Sequence, residues 1–133
     1  MTVLLDANVL IALTVQEHEH HERATTWAST LSAFSICPIV EGALIRFLVR
    51  SGEAPAAAAN LIQRIRDLHS CEFWPDSISY ADVELGDITG HRQVTDAYLI
   101  GLARDHGGAL ATLDERLASS LPGYALLVPS DHE

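Results

Sequence analysis

Hydrophobic positions fall in two rhythms that alternate along the chain. Short continuous apolar runs occur at Thr2–Leu5, Phe34–Cys37, Glu72–Trp74, Ala109–Thr112 and Tyr124–Val128. Between them lie longer stretches with apolar residues spaced three or four apart, as on one face of a helix. Such stretches run over 7–14, 22–31, 38–50, 55–68, 96–106 and 115–119. Asn8 and Thr95 are candidate N-caps, and Pro38 and Pro55 open their helices. Gly52 and the Gly107-Gly108 pair are natural stops. Glu17–Glu22 reads as a polar, His-rich connector, and Ser77–Arg92 as short helix or loop. Continuous apolar strands alternating with amphipathic helices predict an α/β fold around a buried parallel sheet, flanked by helices on both faces.

With 133 residues and 48% hydrophobic content, residues 1–133 are expected to form a single domain. Two cysteines, Cys37 and Cys71, with no CxxC and no zinc spacing exclude a disulfide framework and suggest buried, inert thiols. The longest charge-free run, Ala24–Val40, is broken by Ser and Thr, and the apolar N-terminus carries Asp6 and no basic start. Neither a membrane span nor a signal peptide is expected, and the expected setting is the cytoplasm.

Charge changes the picture. Eight basic residues, all Arg, oppose 18 acidic ones, for a net charge of −10. A surface so acidic repels nucleic acid, unless the acids gather at a metal or face a basic partner.

Four carboxylates stand where a merely solvated one does not belong. Asp6 ends the first strand and Asp114 follows the strand at 109–112, the end at which open α/β sheets bind ligands. Glu41 shares a helical stripe with Leu44, Ile45 and Leu48, and Asp96 one with Leu99, Ile100 and Ala103. Singly, each has an ordinary reading as a cap, a turn residue or a first-turn helix acid. Jointly, they are candidates for one cluster, and clustered carboxylates stay ionised together only around a cation. Oxygen-only ligands favour Mg²⁺, with Mn²⁺ as a substitute. An acid-only site without a phosphate loop or a nucleophilic Ser or Cys suits phosphodiester hydrolysis.

Four blocks carry a resemblance: LLDANVLIA at 4–12, CPIVEGALIR at 37–46, VTDAYLIGLA at 94–103 and LATLD at 110–114. Together, in this order and over essentially the whole chain, they resemble the PIN domain, in particular the VapC toxins of bacterial toxin–antitoxin pairs. The resemblance implies a small parallel sheet between helices and an Mg²⁺-dependent endoribonuclease that cleaves structured RNA, tRNA or rRNA. It places the family's four acidic positions, catalytic and metal-binding, on Asp6, Glu41, Asp96 and Asp114. Thr112 matches a hydroxyl position kept beside the last acid. Asn8 stands where many relatives carry Ser or Thr, and Ala7 where many carry Thr. Both Asn8 and Thr112 are expected to support the acids by hydrogen bonds. The implied partners are an antitoxin of the VapB type with a basic tail and a second copy of the chain, giving a homodimer and, with antitoxin, a heterotetramer or larger assembly.

The acidity then has an account, since each divalent ion offsets two of the ten net negative charges. Arg116, close after Asp114, and Arg46, paired with Arg50 at i, i+4, are the candidate RNA phosphate contacts. Arg64 and Arg66 read as solvated surface residues. His18, His20 and His21 sit within a polar connector rather than a metal site, and Trp27, Trp74, Phe47 and Phe73 suit a core or a dimer interface better than base stacking. A haloacid-dehalogenase-like phosphatase needs a second Asp where Asn8 stands, and a receiver domain needs a Lys. The remaining alternatives are a catalytically silent PIN-fold binding module or another metal-dependent phosphohydrolase.

Overall fold

The computed structural model describes residues 1–130; residues 131–133, the end of the expected domain, lie outside the described residues. Five strands form one parallel sheet in the order β3-β2-β1-β4-β5: β1 (Val3–Leu5), β2 (Phe34–Ile36), β3 (Cys71–Phe73), β4 (Ala109–Thr112) and β5 (Ala125–Leu127). The flanking helices are α1 (Ala7–Thr14), α2 (His21–Ala28), α3 (Pro38–Arg50), α4 (Pro55–Arg66), α5 (Val94–Asp105) and α6 (Glu115–Ser120). The α/β architecture expected from the alternating pattern is therefore present.

The central strands β1 and β4 are buried throughout, which explains their unbroken apolar sequence. Leu4, Leu5, Leu10, Ile36, Val40, Leu44, Leu99, Leu102 and Leu110 fill the core beside them. Each such side chain contributes about 1.5–3 kcal/mol relative to exposure. The edge strand β3 is only half-covered and exposes Glu72. Gly107 adopts φ +73° to end α5, and a Cβ on Gly108 would lie 2.2 Å from the Thr2 carbonyl oxygen. Only glycine lets the chain turn there and run back beside β1.

Chain order makes β1 a dividing line: the chain leaves it toward β2 and β3, then returns to build β4 and β5 on the other side. At such a reversal the two connections diverge and leave a crevice at the carboxyl ends of the strands. Asp6 closes β1 and donates its own N–H to Ala111 O (2.9 Å), so its backbone is still held by β4.

Local boundaries differ from the sequence reading in several places, α4 for instance ending at Arg66 instead of residue 68. Asp6, not Asn8, caps α1, its Oδ1 accepting the Ala7 N–H at 2.8 Å. Helix α2 runs His21–Ala28 instead of reaching Leu31, because the hydroxyls of Ser29 and Thr30 bond back to the Thr26 and Trp27 carbonyls and compete with helix continuation. Helix α5 begins at Val94 after Gln93, with Thr95 inside its first turn and no side-chain cap. The segment 77–92 resolves into 3-10 turns at Tyr80–Asp82 and His91–Gln93, the first closed by a Ser79–Asp82 capping box. Tyr98 Oη donates to Ile78 O (3.0 Å) and ties this segment to α5. Among the described residues, no helix is long and apolar enough to cross a membrane.

Candidate active site

Asp6 is only 7% exposed, yet both of its carboxylate oxygens are used. Oδ1 takes the Ala7 N–H and Oδ2 takes the Thr112 hydroxyl at 2.8 Å. Burial pushes its pKa up, the two hydrogen bonds pull it down, and the neighbouring Asp114 raises it again. Thr112 is fully buried at the end of β4. Asn8, in the first turn of α1, donates from Nδ2 to Thr112 Oγ1 (3.3 Å) and accepts the Leu113 N–H at 3.1 Å.

Asp114 caps α6: its Oδ1 accepts from the N–H groups of Arg116 and Leu117, while its own N–H donates to Thr112 Oγ1 (3.0 Å). Asp96 lies half-buried in the first turn of α5, the helix that packs across β1 and β4. Its pKa is pushed up to about 6, first by burial and then by the negative charges of Asp6 and Asp114. These three acids therefore share one electrostatic environment at the β1/β4 crevice.

Glu41 stands in a different one. It occupies the first turn of α3 and is half-buried, with Oε2 shielded from solvent and without a hydrogen-bond partner. Burial raises its pKa, Arg66 lowers it and Asp76 raises it. Arg66, read from sequence as a solvated residue, instead lays its guanidinium over the Phe73 ring at 4.3 Å and acts as the cation facing Glu41. Neither Arg66 nor Asp76 stood out in the sequence, because their proximity to Glu41 depends on how α4 and β3 pack beside α3. Both cysteines are free thiols whose pKa burial raises, Cys71 to about 11; Cys37 is buried, whereas Cys71, expected to be buried, is half-covered on the edge strand β3.

The remaining candidates fall at the rim. Arg116 is exposed two residues after Asp114, and Arg46 is exposed with its guanidinium lying back over Gly42, next to Glu41 in sequence. The His-rich connector is braced locally: His18 Nδ1 accepts the His20 N–H (3.0 Å), His21 Nδ1 faces Ala12 O (2.7 Å), and His20 lies 3.6 Å from Glu19. Among the described residues, no arginine lies within 4 Å of a carboxylate. Trp74 is buried and stacks on His106 at 4.1 Å, as expected of a core aromatic.

Hard oxygen donors, mutual repulsion and the lack of an arginine partner within 4 Å make the Asp6–Asp96–Asp114 set chemically suited to a divalent cation. Among the described residues, no three acidic, His or Cys side chains close around a single point as they stand. Mg²⁺ does not require that, since it keeps several waters and takes one or two carboxylates directly.

An α/β sheet with carboxylates at its reversal point carries them where such sheets bind ligands. The chain matches the PIN domain over residues 3–120. It is 53% identical over 131 residues to Ribonuclease VapC29 of Mycobacterium tuberculosis, covering 98% of each chain. It is 37% identical to Ribonuclease VapC39 of the same organism, over 90% of this chain and 94% of that one. In fold it is similar to Mycobacterium tuberculosis VapC20, described as a toxin that cleaves the sarcin-ricin loop (TM-score 0.70, 17% identity, 96% of this chain and all of that one). It is also similar in fold to VapBC2 of Rickettsia felis, solved with a promoter DNA fragment (TM-score 0.67, 16% identity, 98% of this chain and all of that one). The chain belongs to the PIN-domain family, among its VapC toxins.

Proposed function

We propose that this protein is a divalent-cation-dependent endoribonuclease, the toxin of a toxin–antitoxin pair that cleaves structured RNA such as tRNA or rRNA. The observation that carries this reading is the Asp6–Asp96–Asp114 set at the carboxyl ends of β1 and β4, where the charges of Asp6 and Asp114 add to burial in raising the pKa of Asp96. The ribonuclease names of the sequence relatives support it.

Asp6, Asp96 and Asp114 would hold Mg²⁺ or Mn²⁺, with Glu41, in the first turn of α3, completing the acidic quartet. The cation supplies Lewis acidity and charge neutralisation at the phosphodiester. The chain's own groups do the positioning. The Thr112 hydroxyl and the Ala7 N–H hold Asp6 in one rotamer, the α6 N-terminus holds Asp114, and α5 presents Asp96 from the opposite wall. Arg116 and Arg46, both exposed, would meet RNA phosphates.

Silencing follows from the same electrostatics. A basic tail on a VapB-type antitoxin, most effectively an Arg with its planar fork, is complementary to the three aspartates and would compete with both RNA and the cation. The solved VapBC2 complex of a fold neighbour supports such a partner. We also assign the protein as a homodimer paired through Phe47, Leu48 and the small apolar face of α4, and as a heterotetramer or larger with antitoxin. Sedimentation of the free toxin at micromolar concentration is expected to give a dimer, and a monomer would overturn that assignment.

The direct test incubates the purified toxin with total tRNA and rRNA in the presence of Mg²⁺, Mn²⁺ or a chelator. Cleavage that requires the ion and is lost in Asp96→Asn is expected. Cleavage indifferent to the chelator would overturn the metal reading. RNA binding without cleavage under every condition would favour the silent binding module.

A further inference from the structure

The hydrogen bonds around Thr112 determine the direction of a single hydrogen atom. Two of the groups that meet there are backbone N–H donors with no alternative role. The Asp114 N–H must donate to Thr112 Oγ1, and the Leu113 N–H must donate to Asn8 Oδ1. The second bond sets the Asn8 amide, so its NH₂ faces Thr112 and donates as well, at 3.3 Å. A hydroxyl oxygen has two acceptor sites and one hydrogen. With both acceptor sites filled, the Thr112 hydrogen has one place left, and it points at Asp6 Oδ2, 2.8 Å away.

We propose that Asn8 is a positioning residue that acts through Thr112: by filling the second acceptor site of its hydroxyl, it commits that hydrogen to Asp6 and holds the Asp6 carboxylate in the rotamer that faces Asp96 and Asp114. A Ser or Thr at position 8 would have its own rotatable hydroxyl, able to donate or accept. The Asn amide cannot reverse without setting its NH₂ against the Leu113 N–H, so the polarity of the chain Leu113–Asn8–Thr112–Asp6 is one-way. Thr112 is fully buried, so water does not compete for its hydrogen.

The lock itself needs no cation, whereas its consequence for cation binding rests on the functional reading above. The two are tested separately. In metal-free protein, the Thr112 hydroxyl proton is expected as a slowly exchanging NMR resonance, and deuterating it is expected to shift the Asp6 carboxyl carbon. Asn8→Asp is isosteric, keeps the acceptor for Leu113 and replaces the donor by an acceptor. The hydroxyl hydrogen should turn toward the new carboxylate at position 8, and the isotope shift at Asp6 should vanish. An unchanged isotope shift at Asp6 would overturn the lock.

The consequence is read by calorimetric titration with Mn²⁺ alone. Asn8→Ala and Thr112→Val should each weaken binding about tenfold. The double variant should be no weaker than Thr112→Val, and Thr112→Ser should restore the affinity. Effects that multiply in the double variant, or an Asn8→Ala affinity equal to the parent's, would show that Asn8 does not act through Thr112. Failure of the parent protein to bind Mn²⁺ would overturn the cation reading and leave the lock to the isotope shift.

Discussion

Two acidic neighbourhoods lie at the same end of the sheet, and they handle repulsion in opposite ways. Around Glu41 the fold supplies its own cation, Arg66, stacked on Phe73. Around Asp6, Asp96 and Asp114 it supplies hydrogen bonds from backbone and hydroxyl groups but no positive charge among their dominant influences. Hydrogen bonds fix where carboxylates point without cancelling their mutual repulsion, so Asp96 remains a proton short of comfort near neutral pH. A site meant only for stability would have been neutralised from within, as Glu41 partly is. The contrast marks the aspartate set as the one that waits for an outside cation, whether a metal ion or an antitoxin's basic side chain.

The largest expected effect comes from removing charge in the aspartate set. Asp6→Asn and Asp96→Asn should each lower RNA cleavage by at least about 100-fold. Their thermal stabilities should then diverge. Asp96 has no hydrogen bond of its own among the described contacts, so Asp96→Asn relieves repulsion at little cost, and the metal-free protein should melt a few degrees higher. Asp6 accepts two bonds with two different oxygens, and an amide reproduces only one of them. Asp6→Asn should therefore show no such gain. Differential scanning calorimetry checks the pair, and equal gains would mean that the hydrogen bonds at Asp6 carry little weight.

A smaller loss is expected at the other neighbourhood. Glu41→Gln should reduce cleavage about tenfold, short of the aspartate variants, because Glu41 already has Arg66 beside it. A loss as deep as that of Asp96→Asn, measured on the same RNA, would merge the two neighbourhoods into one site.

The pH response should separate them further. Asp6 and Asp96 hold protons more tightly in the folded chain than in the unfolded one, Asp96 up to about 6. Stability of the metal-free protein should accordingly fall as pH rises from about 4 through about 6. Cation binding has the opposite slope. The proton on Asp96 must leave first, so Mn²⁺ affinity should drop about tenfold per pH unit below about 6. Denaturation and Mn²⁺ titrations at pH 5, 6 and 7 read both slopes. The smallest effect belongs to Arg66→Gln, which should raise the NMR titration midpoint of Glu41 and leave that of Asp96 in place. A matching shift at Asp96 would show that the arginine serves both neighbourhoods.

The sequence by itself determined the alternation of strands and helices and the parallel sheet, and it singled out the four acids as candidates, since each rests on spacing within a few residues. Helix starts at Pro38 and Pro55 and stops at Gly52 and Gly107 were legible for the same reason. Errors arose where side chains hold backbone locally: Asp6 took the cap expected of Asn8, and Ser29 and Thr30 ended α2 early. Tertiary structure decided which acids share an environment, because strand order brings together residues more than 100 positions apart, as in the bonds from Asn8 and Asp6 to Thr112. It also decided that Arg66 faces Glu41 and that the Thr112 hydrogen has one direction to take. Counter-ion pairing and hydroxyl polarity depend on distances of a few ångströms between distant segments, which a one-dimensional pattern does not contain.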